Sequence, residues 1–356
     1  MNDISRHTID SGASLLDALQ QLNALSGGVM TLFVIDDEQR ILGSITDGDI
    51  RRALIAGAAL DKTVAELCHR EFRYVCDGNI DPAVLGACRA KGISLIPVVD
   101  SAFHLVSLID LTQCRTVLPL RAVLMAGGRG ERLRPMTLST PKPLLEIEGK
   151  AIIDYNVEAL AACGINDIVV TTRYLAEQIH QHFVEPVGGV KVRCVTEEKP
   201  LGTIGAVAGL WPESHVGNTL VMNSDLLTTI SFEEMYLRHR SQEADVTIAV
   251  VPYQVSVPYA ILTLDESDPD AVTAIEEKPS YSYYANAGIY IFSNDLLSTL
   301  VEGEHCDATD LIERAIAAGR KVTYYPIKGT WIDVGSPVDF RQAGQLMRHH
   351  NAMANS

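Results

Sequence analysis

The sequence predicts an α/β protein in two parts: a small duplicated N-terminal module, then a larger domain on a mixed, mostly parallel sheet. Three observations carry this. From Arg121 onward, short apolar runs alternate with helical stretches, as strands and helices do when helices cover both faces of a parallel sheet. The first of those runs, 121–125, is a buried-strand pattern broken by Ala126-Gly127-Gly128-Arg129-Gly130. Before residue 118, a unit of helix, strand, tight turn, strand and helix occurs twice. The 356-residue length exceeds one ordinary core and agrees with two domains. The boundary falls after residue 118, giving 1–118 and 119–356, joined by the short apolar stretch Thr116-Val117-Leu118-Pro119-Leu120.

Composition narrows the function. The apolar fraction of 47% supplies a sizeable core, and the net charge of −16 argues against nucleic acid or an anionic membrane surface as partner. No apolar run approaches a membrane span. The opening MNDISRHTID has no basic-then-apolar signal pattern. The seven cysteines form no C-x-x-C pair, so reduced thiols in a cytoplasm are expected. An acidic protein that binds a polyphosphate has to concentrate its cations locally.

In the N-terminal module, residues 14–25 carry Leu15, Leu19 and Leu22 on one helical face. Strands at 30–35 and 41–46 flank an Asp36-Asp37-Glu38 turn, and Asp47-Gly48-Asp49 starts a helix through Leu54 with acidic residues at its positive end. Val34-Ile35-Asp36 returns as Val98-Val99-Asp100, and Leu42-Gly43-Ser44-Ile45-Thr46-Asp47 as Leu105-Val106-Ser107-Leu108-Ile109-Asp110, about 63 to 64 residues further on. This arrangement resembles a tandem pair of cystathionine-β-synthase-type (CBS) modules. The resemblance implies adenine-nucleotide binding, with Thr46 and Asp49 as ribose or phosphate contacts. Ile109 stands where the first unit has Thr46, which puts a site on the second half in doubt. The competing reading is a helix cap and a module serving only to make a homo-oligomer.

The stretch that organises the larger domain is 121–145. Three glycines in four positions let a ligand reach the backbone, and free N–H groups in such a turn make an anion site, reinforced by a following helical turn. Arg129, Arg132 and Arg134 crowd the turn, and Lys142 is stiffened between Pro141 and Pro143. No Gly-Lys-Ser/Thr follows, so this is not a Walker A loop. Leu133 stands where a dinucleotide fingerprint needs its third glycine.

Gly127-Gly128-Arg129-Gly130-Glu131-Arg132-Leu133-Arg134-Pro135-Met136-Thr137, followed by Pro141-Lys142-Pro143, resembles the signature of the sugar-1-phosphate nucleotidyltransferases. Further segments fall in the family's order. Glu197-Glu198-Lys199-Pro200-Leu201-Gly202-Thr203-Ile204-Gly205 resembles the segment beside the nucleobase and sugar, with Ile204 for a smaller alanine. Asn223-Ser224-Asp225 ends the strand at 219–222, with Ser224 in place of the usual glycine. Glu276-Glu277-Lys278-Pro279 and Asn286-Ala287-Gly288-Ile289-Tyr290 resemble the sugar-binding segments. Trp331-Ile332-Asp333-Val334-Gly335-Ser336-Pro337 resembles the close of the domain.

The resemblance implies a Rossmann-like domain that joins a nucleoside triphosphate to a sugar 1-phosphate and releases pyrophosphate. It implies Lys142 and Arg132 as catalytic cations, and Leu124, Ala126, Gly127, Gly128, Gly130, Pro200, Leu201 and Gly202 around the nucleotide. Glu277, Lys278, Asn286 and Gly288 would hold the sugar phosphate, and Asp225 and Asp333 would hold Mg²⁺. A tandem module joined to this transferase resembles guanylyltransferases acting on hexosamine 1-phosphates in bacterial surface-sugar pathways. GTP with a hexosamine 1-phosphate is therefore the expectation, and mannose-1-phosphate guanylyltransferases share the glycine cradle. The rivals are a non-catalytic nucleotide-sugar sensor, expected to have lost Lys142, Asp225 or Asp333, and a choline-phosphate cytidylyltransferase.

Overall fold

The computed structural model describes residues 4–77, 80–114, 116–210 and 217–354, with the side chains of the last helix described as far as residue 348. The chain separates into two compact units: 1–119 with 161–165, and 120–160 with 166–356.

In the first unit, β1 (Thr8–Asp10) lies parallel to β2 (Thr31–Ile35), which pairs antiparallel with β3 (Ile41–Thr46). Between β1 and β2, α1 (Leu15–Ala24) starts where Ser14 and Asp17 satisfy each other's backbone N–H groups in a capping box, and it buries Leu15, Ala18 and Leu22. After β3 comes α2 (Asp47–Ile55). The second half repeats the plan as far as its third strand, and 111–113 form a turn where the sequence predicts a closing helix. β4 (Val75–Cys76) is parallel to β5 (Leu95–Val99), which pairs antiparallel with β6 (Leu105–Asp110), and α3 (Pro82–Ala90) lies between β4 and β5.

The duplication extends to details. The bulge at Val34/Ile35 recurs at Val98/Val99. Asp36 accepts backbone N–H groups of Glu38 and Arg40, and Asp100 accepts those of Ala102 and His104. Strand register corrects one expectation. Thr31 pairs with Thr46 and Leu95 pairs with Asp110, so the residue equivalent to Thr46 is Asp110 rather than Ile109. Ile109 matches Ile45, and both are buried. A one-residue slip would turn every side chain of the strand to the wrong face, so the buried face decides the alignment.

In the second unit, β7 (Leu120–Ala126) leads through the glycine turn and a hairpin, β8 (Glu146–Ile147) and β9 (Lys150–Ala151), to α4 (Ile152–Ala161). Then come β10 (Ile168–Thr172), α5 (Ala176–His182) and β11 (Arg193–Thr196). The chain continues with β12 (Asn218–Asn223), β13 (Leu226–Thr228), α6 (Phe232–Ser241) and β14 (Val246–Ser256). The hairpin β15 (Ile261–Leu264) and β16 (Val272–Glu276) precedes the long β17 (Ser280–Ser293). The unit closes with α7 (Asn294–Leu297), α8 (Ala308–Ala317), β18 (Val322–Pro326), β19 (Trp331–Asp333) and α9 (Pro337–Ala354).

Among the described residues, seven strands form the main sheet in the order β11-β10-β7-β12-β17-β14-β18. Only β17 runs against its neighbours, so the sheet is mixed and mostly parallel, as the sequence predicts. On one face Val123, Val221, Val246 and Phe292 share a core with Leu311 and Ile312 of α8. The strand order reverses between β7 and β12, where the chain has gone outward to β11 and returns. A crevice outside the carboxyl ends of the strands at that point is where open α/β sheets bind ligands.

Candidate active site

Two strand ends meet at that crevice. β7 runs into Gly127, and β12, paired with it in register from Asn218/Leu120 to Asn223/Met125, runs into Ser224-Asp225. Ser224 fits where the signature it resembles has glycine: the Ser224 hydroxyl donates to the Met125 carbonyl at 2.7 Å, and Asn156 Nδ2 donates to the Ser224 carbonyl at 3.3 Å.

The glycine turn is braced rather than loose. Gly130 has φ +59°, and a Cβ there would lie 2.9 Å from Thr137 Cγ2 and 3.1 Å from Lys142 Cβ, so only glycine lets the turn close on the lysine segment. Thr137 Oγ1 donates to the Gly130 carbonyl at 2.8 Å. Tyr174 Oη and Gln178 Nε2 hold the carbonyls of Thr137 and Ser139. The glycine turn leads into a single 3₁₀ turn, Glu131–Leu133, rather than an α-helix. Its dipole is correspondingly small, and the anion site rests on N–H groups and side-chain cations. Of the three arginines only Arg132 lines the crevice; Arg134 pairs with Glu131 at 3.3 Å.

Lys142 opens the 3₁₀ turn Lys142–Leu144 after Pro141, and its side chain is mostly buried. Its Nζ donates to Asp225 Oδ2 and, at 3.4 Å, to Asp333 Oδ1. Asp333 arrives because β13 and β19 pair antiparallel, with Leu226 opposite Asp333, and because the Val334 N–H donates to the Asp225 carbonyl at 3.2 Å. Burial, and then the Asp225 charge, push the Asp333 carboxyl above the usual carboxylate range, opposed by Lys142 and Arg132.

The Oδ1 atom of Asp225 is buried with no hydrogen-bond partner. A buried carboxylate oxygen without a partner is costly. Together with Asp333 it makes an all-oxygen, anionic donor pair, which fits a hard divalent cation such as Mg²⁺.

The cavity above these residues measures about 520 Å³. Gly127, Gly128, Gly130, Ala126, Arg132, Lys142, Pro200, Leu201, Gly202 and Asp225, all singled out by the sequence, line it. Gly202 has φ +78°, and a Cβ there would fall 2.5 Å from the Cys306 carbonyl, so the turn sits flush on the 304–308 segment. Backbone bonds from Cys306 N to Leu201 O and from Ile204 N and Gly205 N to Cys306 O fasten it. Thr203 serves a helix distant in sequence: its hydroxyl accepts the first N–H of α8, from Ala308, at 2.8 Å.

Other expected residues lie elsewhere. Leu124 is fully buried in β7 and does not line the cavity. Glu277 and Lys278 are exposed, on the turn between β16 and β17, outside the cavity lining. Asn286 donates to the Tyr290 hydroxyl at 2.9 Å and accepts the Gly288 N–H at 3.0 Å, and Gly288 lies against the Asn223 side chain. The structure therefore brings most of the residues expected around the nucleotide, with Asp225, to one cavity, holds Asp333 beside it through Lys142, and leaves the four residues expected on the sugar side off its wall.

Three wall residues, Thr171, Arg173 and His305, lie outside every motif the sequence offers, and Glu197 lies inside one that gives it no role. Arg173 follows the carboxyl end of β10, much as Asp225 follows that of β12, and that rule would have found it. Glu197 belongs to the 197–205 motif, which by itself gives it no role. Its Oε2 accepts the Leu201 N–H at 3.3 Å, its Oε1 comes within 3.0 Å of where a Gly127 Cβ would stand, and burial raises its carboxyl above the ordinary range. His305 precedes Cys306, whose backbone bonds to Leu201, Ile204 and Gly205 are distant in sequence and leave no local signal.

In the first unit, Thr46 and Asp49 line a separate cavity of about 1120 Å³ with Arg52, His69, Arg73 and Asp110. They also form the capping box of α2, Thr46 N–H donating to Asp49 Oδ2 at 2.9 Å, and Arg52 pairs with Asp49 at 2.6 Å. The two residues are thus helix caps and cavity wall at once.

The chain is similar to known proteins in both of its parts. The family model described as Nucleotidyl transferase matches residues 121–350, and the CBS domain model matches residues 3–56. The mannose-1-phosphate guanylyltransferase catalytic subunit beta of Dictyostelium discoideum is 31% identical over 226 residues, 62% of this chain and 62% of that protein. The mannose-1-phosphate guanylyltransferase of Mycobacterium tuberculosis is 32% identical over 233 residues, 64% of each chain. The chain thus spans less than two thirds of the length of these relatives. The crystal structure of HddC from Yersinia pseudotuberculosis superposes with a TM-score of 0.50 at 24% identity, over 64% of this chain and 99% of that one, which shows the shared fold.

Proposed function

The chain belongs to the nucleotidyl transferase family and carries a CBS domain over residues 3–56, and from that premise we propose that it makes a nucleotide-sugar from a nucleoside triphosphate and a sugar 1-phosphate. The observation that carries this reading is the Lys142 ammonium set between Asp225 and Asp333 beneath a glycine turn open to a ligand. An oxygen of the sugar phosphate bonds to the α-phosphorus, and the bond from that phosphorus to the pyrophosphate oxygen breaks. The attacking group is already a dianion, so no base is required. Catalysis consists of holding two polyanions in line and neutralising charge.

The Gly127 and Gly128 N–H groups bind phosphate oxygens, and Arg132 stabilises the departing pyrophosphate. Lys142 bridges the α-phosphate and the attacking phosphate. Asp225 and Asp333 hold a divalent cation, which supplies Lewis-acid neutralisation of phosphate charge when bound. Arg173 adds a cation to the same wall.

GTP is the favoured triphosphate. The Dictyostelium and Mycobacterium relatives are named as guanylyltransferases. Glu197 supports the choice chemically: one carboxylate can accept both the N1–H and the N2 amino group of guanine, an adjacent donor pair that adenine, uracil and cytosine lack. For the sugar, the relatives' names move the weight from a hexosamine to mannose 1-phosphate. Pyrophosphate release from each common triphosphate with a panel of hexose and hexosamine 1-phosphates, in the presence of Mg²⁺, tests the whole reading. Release with GTP and one sugar supports it, and no release from any pair by a folded sample refutes it. The adenine-nucleotide reading of the first unit's cavity is a separate proposal, supported by Arg52, His69 and Arg73 beside Thr46 and Asp49.

A further inference from the structure

We propose that Lys142 is the stand-in for the divalent cation: it occupies the space between Asp225 and Asp333 until metal and triphosphate arrive, and its release couples the two binding events. The proposal rests on the reading of Asp225 and Asp333 as the metal's carboxylates, and concerns what this chain does before catalysis.

The argument starts from charge. Two carboxylates converge on one point, brought there by the β13/β19 pairing. Facing acids repel unless a cation lies between them. Here the cation is internal: Lys142 Nζ donates to one oxygen of each carboxylate. An ammonium carries one charge against two, and its three hydrogens leave Asp225 Oδ1 without a partner. The site is therefore filled but not satisfied. A divalent ion there would balance both acids and use the orphaned oxygen, but it cannot share the space with an ammonium, because the two repel at contact distance.

Lys142 must then move, and its stem permits little travel. Pro141 and Pro143 fix the backbone on either side, and the Gly130 turn packs against its Cβ. The nearest place for the ammonium is the phosphate cavity that the same side chain lines. Without a polyphosphate, leaving the carboxylates exposes Lys142 to a cavity that already holds Arg132 and Arg173. With one, Lys142 exchanges two carboxylates for phosphate oxygens. Metal and triphosphate thus help each other bind through this one side chain, a coupling that is reciprocal by thermodynamic necessity.

The test is Mn²⁺ binding to the full chain without nucleotide, read by electron paramagnetic resonance of the free ion. Lys142→Met should bind Mn²⁺ at least tenfold more tightly than the unsubstituted protein, about 1.4 kcal/mol, and Lys142→Arg, which keeps the charge, should not. A second reading needs no variant. The rate at which an acylating reagent modifies Lys142, followed by mass spectrometry of the peptide, should rise severalfold when Mn²⁺ is added. Equal Mn²⁺ affinity in Lys142→Met, or an unchanged modification rate in the unsubstituted chain, overturns the exchange. If Asp225→Asn also leaves Mn²⁺ binding unaltered, the metal-site reading falls with it; if Asp225→Asn abolishes binding, only the exchange falls.

Discussion

Lys142 donates to the Asp225 carboxylate across 83 residues of sequence and to Asp333 across 191. The three segments that carry them are the 3₁₀ turn that Lys142 opens after Pro141, the turn after β12, and the end of β19. None of the three would be placed by its own local structure. The contact exists because β12 lies beside β7 and because β13 pairs with β19. Substitution of either Lys142 or Asp225 therefore probes one shared arrangement.

Lys142→Ala should lower kcat by about 10²–10³-fold, the scale of losing one charged group that acts on the transition state. Steady-state pyrophosphate release with saturating substrates checks this, and near-normal turnover would remove Lys142 from the chemistry.

Asp225→Asn should weaken activation by Mg²⁺ by at least tenfold, since it removes the carboxylate whose Oδ1 has no protein partner. Titration of the rate with Mg²⁺ measures it. A parent-like activation curve would assign the metal elsewhere.

Glu197→Gln should change base choice more than turnover. The parent is expected to prefer GTP over ITP, which lacks the N2 amino group, by about 10²-fold or more, and the variant to lose most of that preference, as sites built to pair a donor do when the pairing is broken. The ratio of kcat/KM for the two triphosphates is the readout. A variant that keeps the preference would clear Glu197 of base reading.

Thr46→Val should cost about 1 kcal/mol of stability in the first unit, since it deletes the hydroxyl that accepts the Asp49 N–H at the start of α2. It should also weaken adenine-nucleotide binding, measured by calorimetry with AMP, ADP and ATP. Lost stability with unchanged nucleotide affinity would leave Thr46 a cap alone.

His239 makes acid stability predictable. It is buried in α6 between Thr247 Oγ1 at 2.8 Å and Asn218 Oδ1 at 3.0 Å, and burial lowers its pKa to about 4. The unfolded chain binds that proton near pH 6.5, so between these values unfolding takes up a proton. The contribution is fully present above about pH 6.5 and is lost as pH falls toward 4, by up to about 3 kcal/mol. Urea unfolding of the parent and of His239→Gln across this range checks it: the difference between them should shrink as the pH falls.

The sequence was most legible where function needs a fixed order of residue types along a short segment. The glycine turn, the lysine between prolines and the carboxylate after β12 announced themselves because backbone access, stiffness and a strand end are local properties. The duplication in the first unit was legible too, down to the Asp36 and Asp100 loops, although its register was not. Letters alone aligned Ile109 with Thr46. Only strand pairing, which puts Ile109 with Ile45 in the interior, made Asp110 the true counterpart.

Tertiary structure decided the rest. It kept Arg129 and Arg134 off the cavity that Arg132 lines, brought Glu197, Arg173 and His305 to the wall, and left Glu277 and Lys278 in solvent. The physical reason is range. A turn's conformation depends on a few adjacent residues, whereas a carboxylate's neighbours depend on which strands pair. Strand pairing is fixed by burial summed over the whole sheet, so the sequence by itself determined the kinds of group this protein brings to its site, and the packed sheet determined which of them meet.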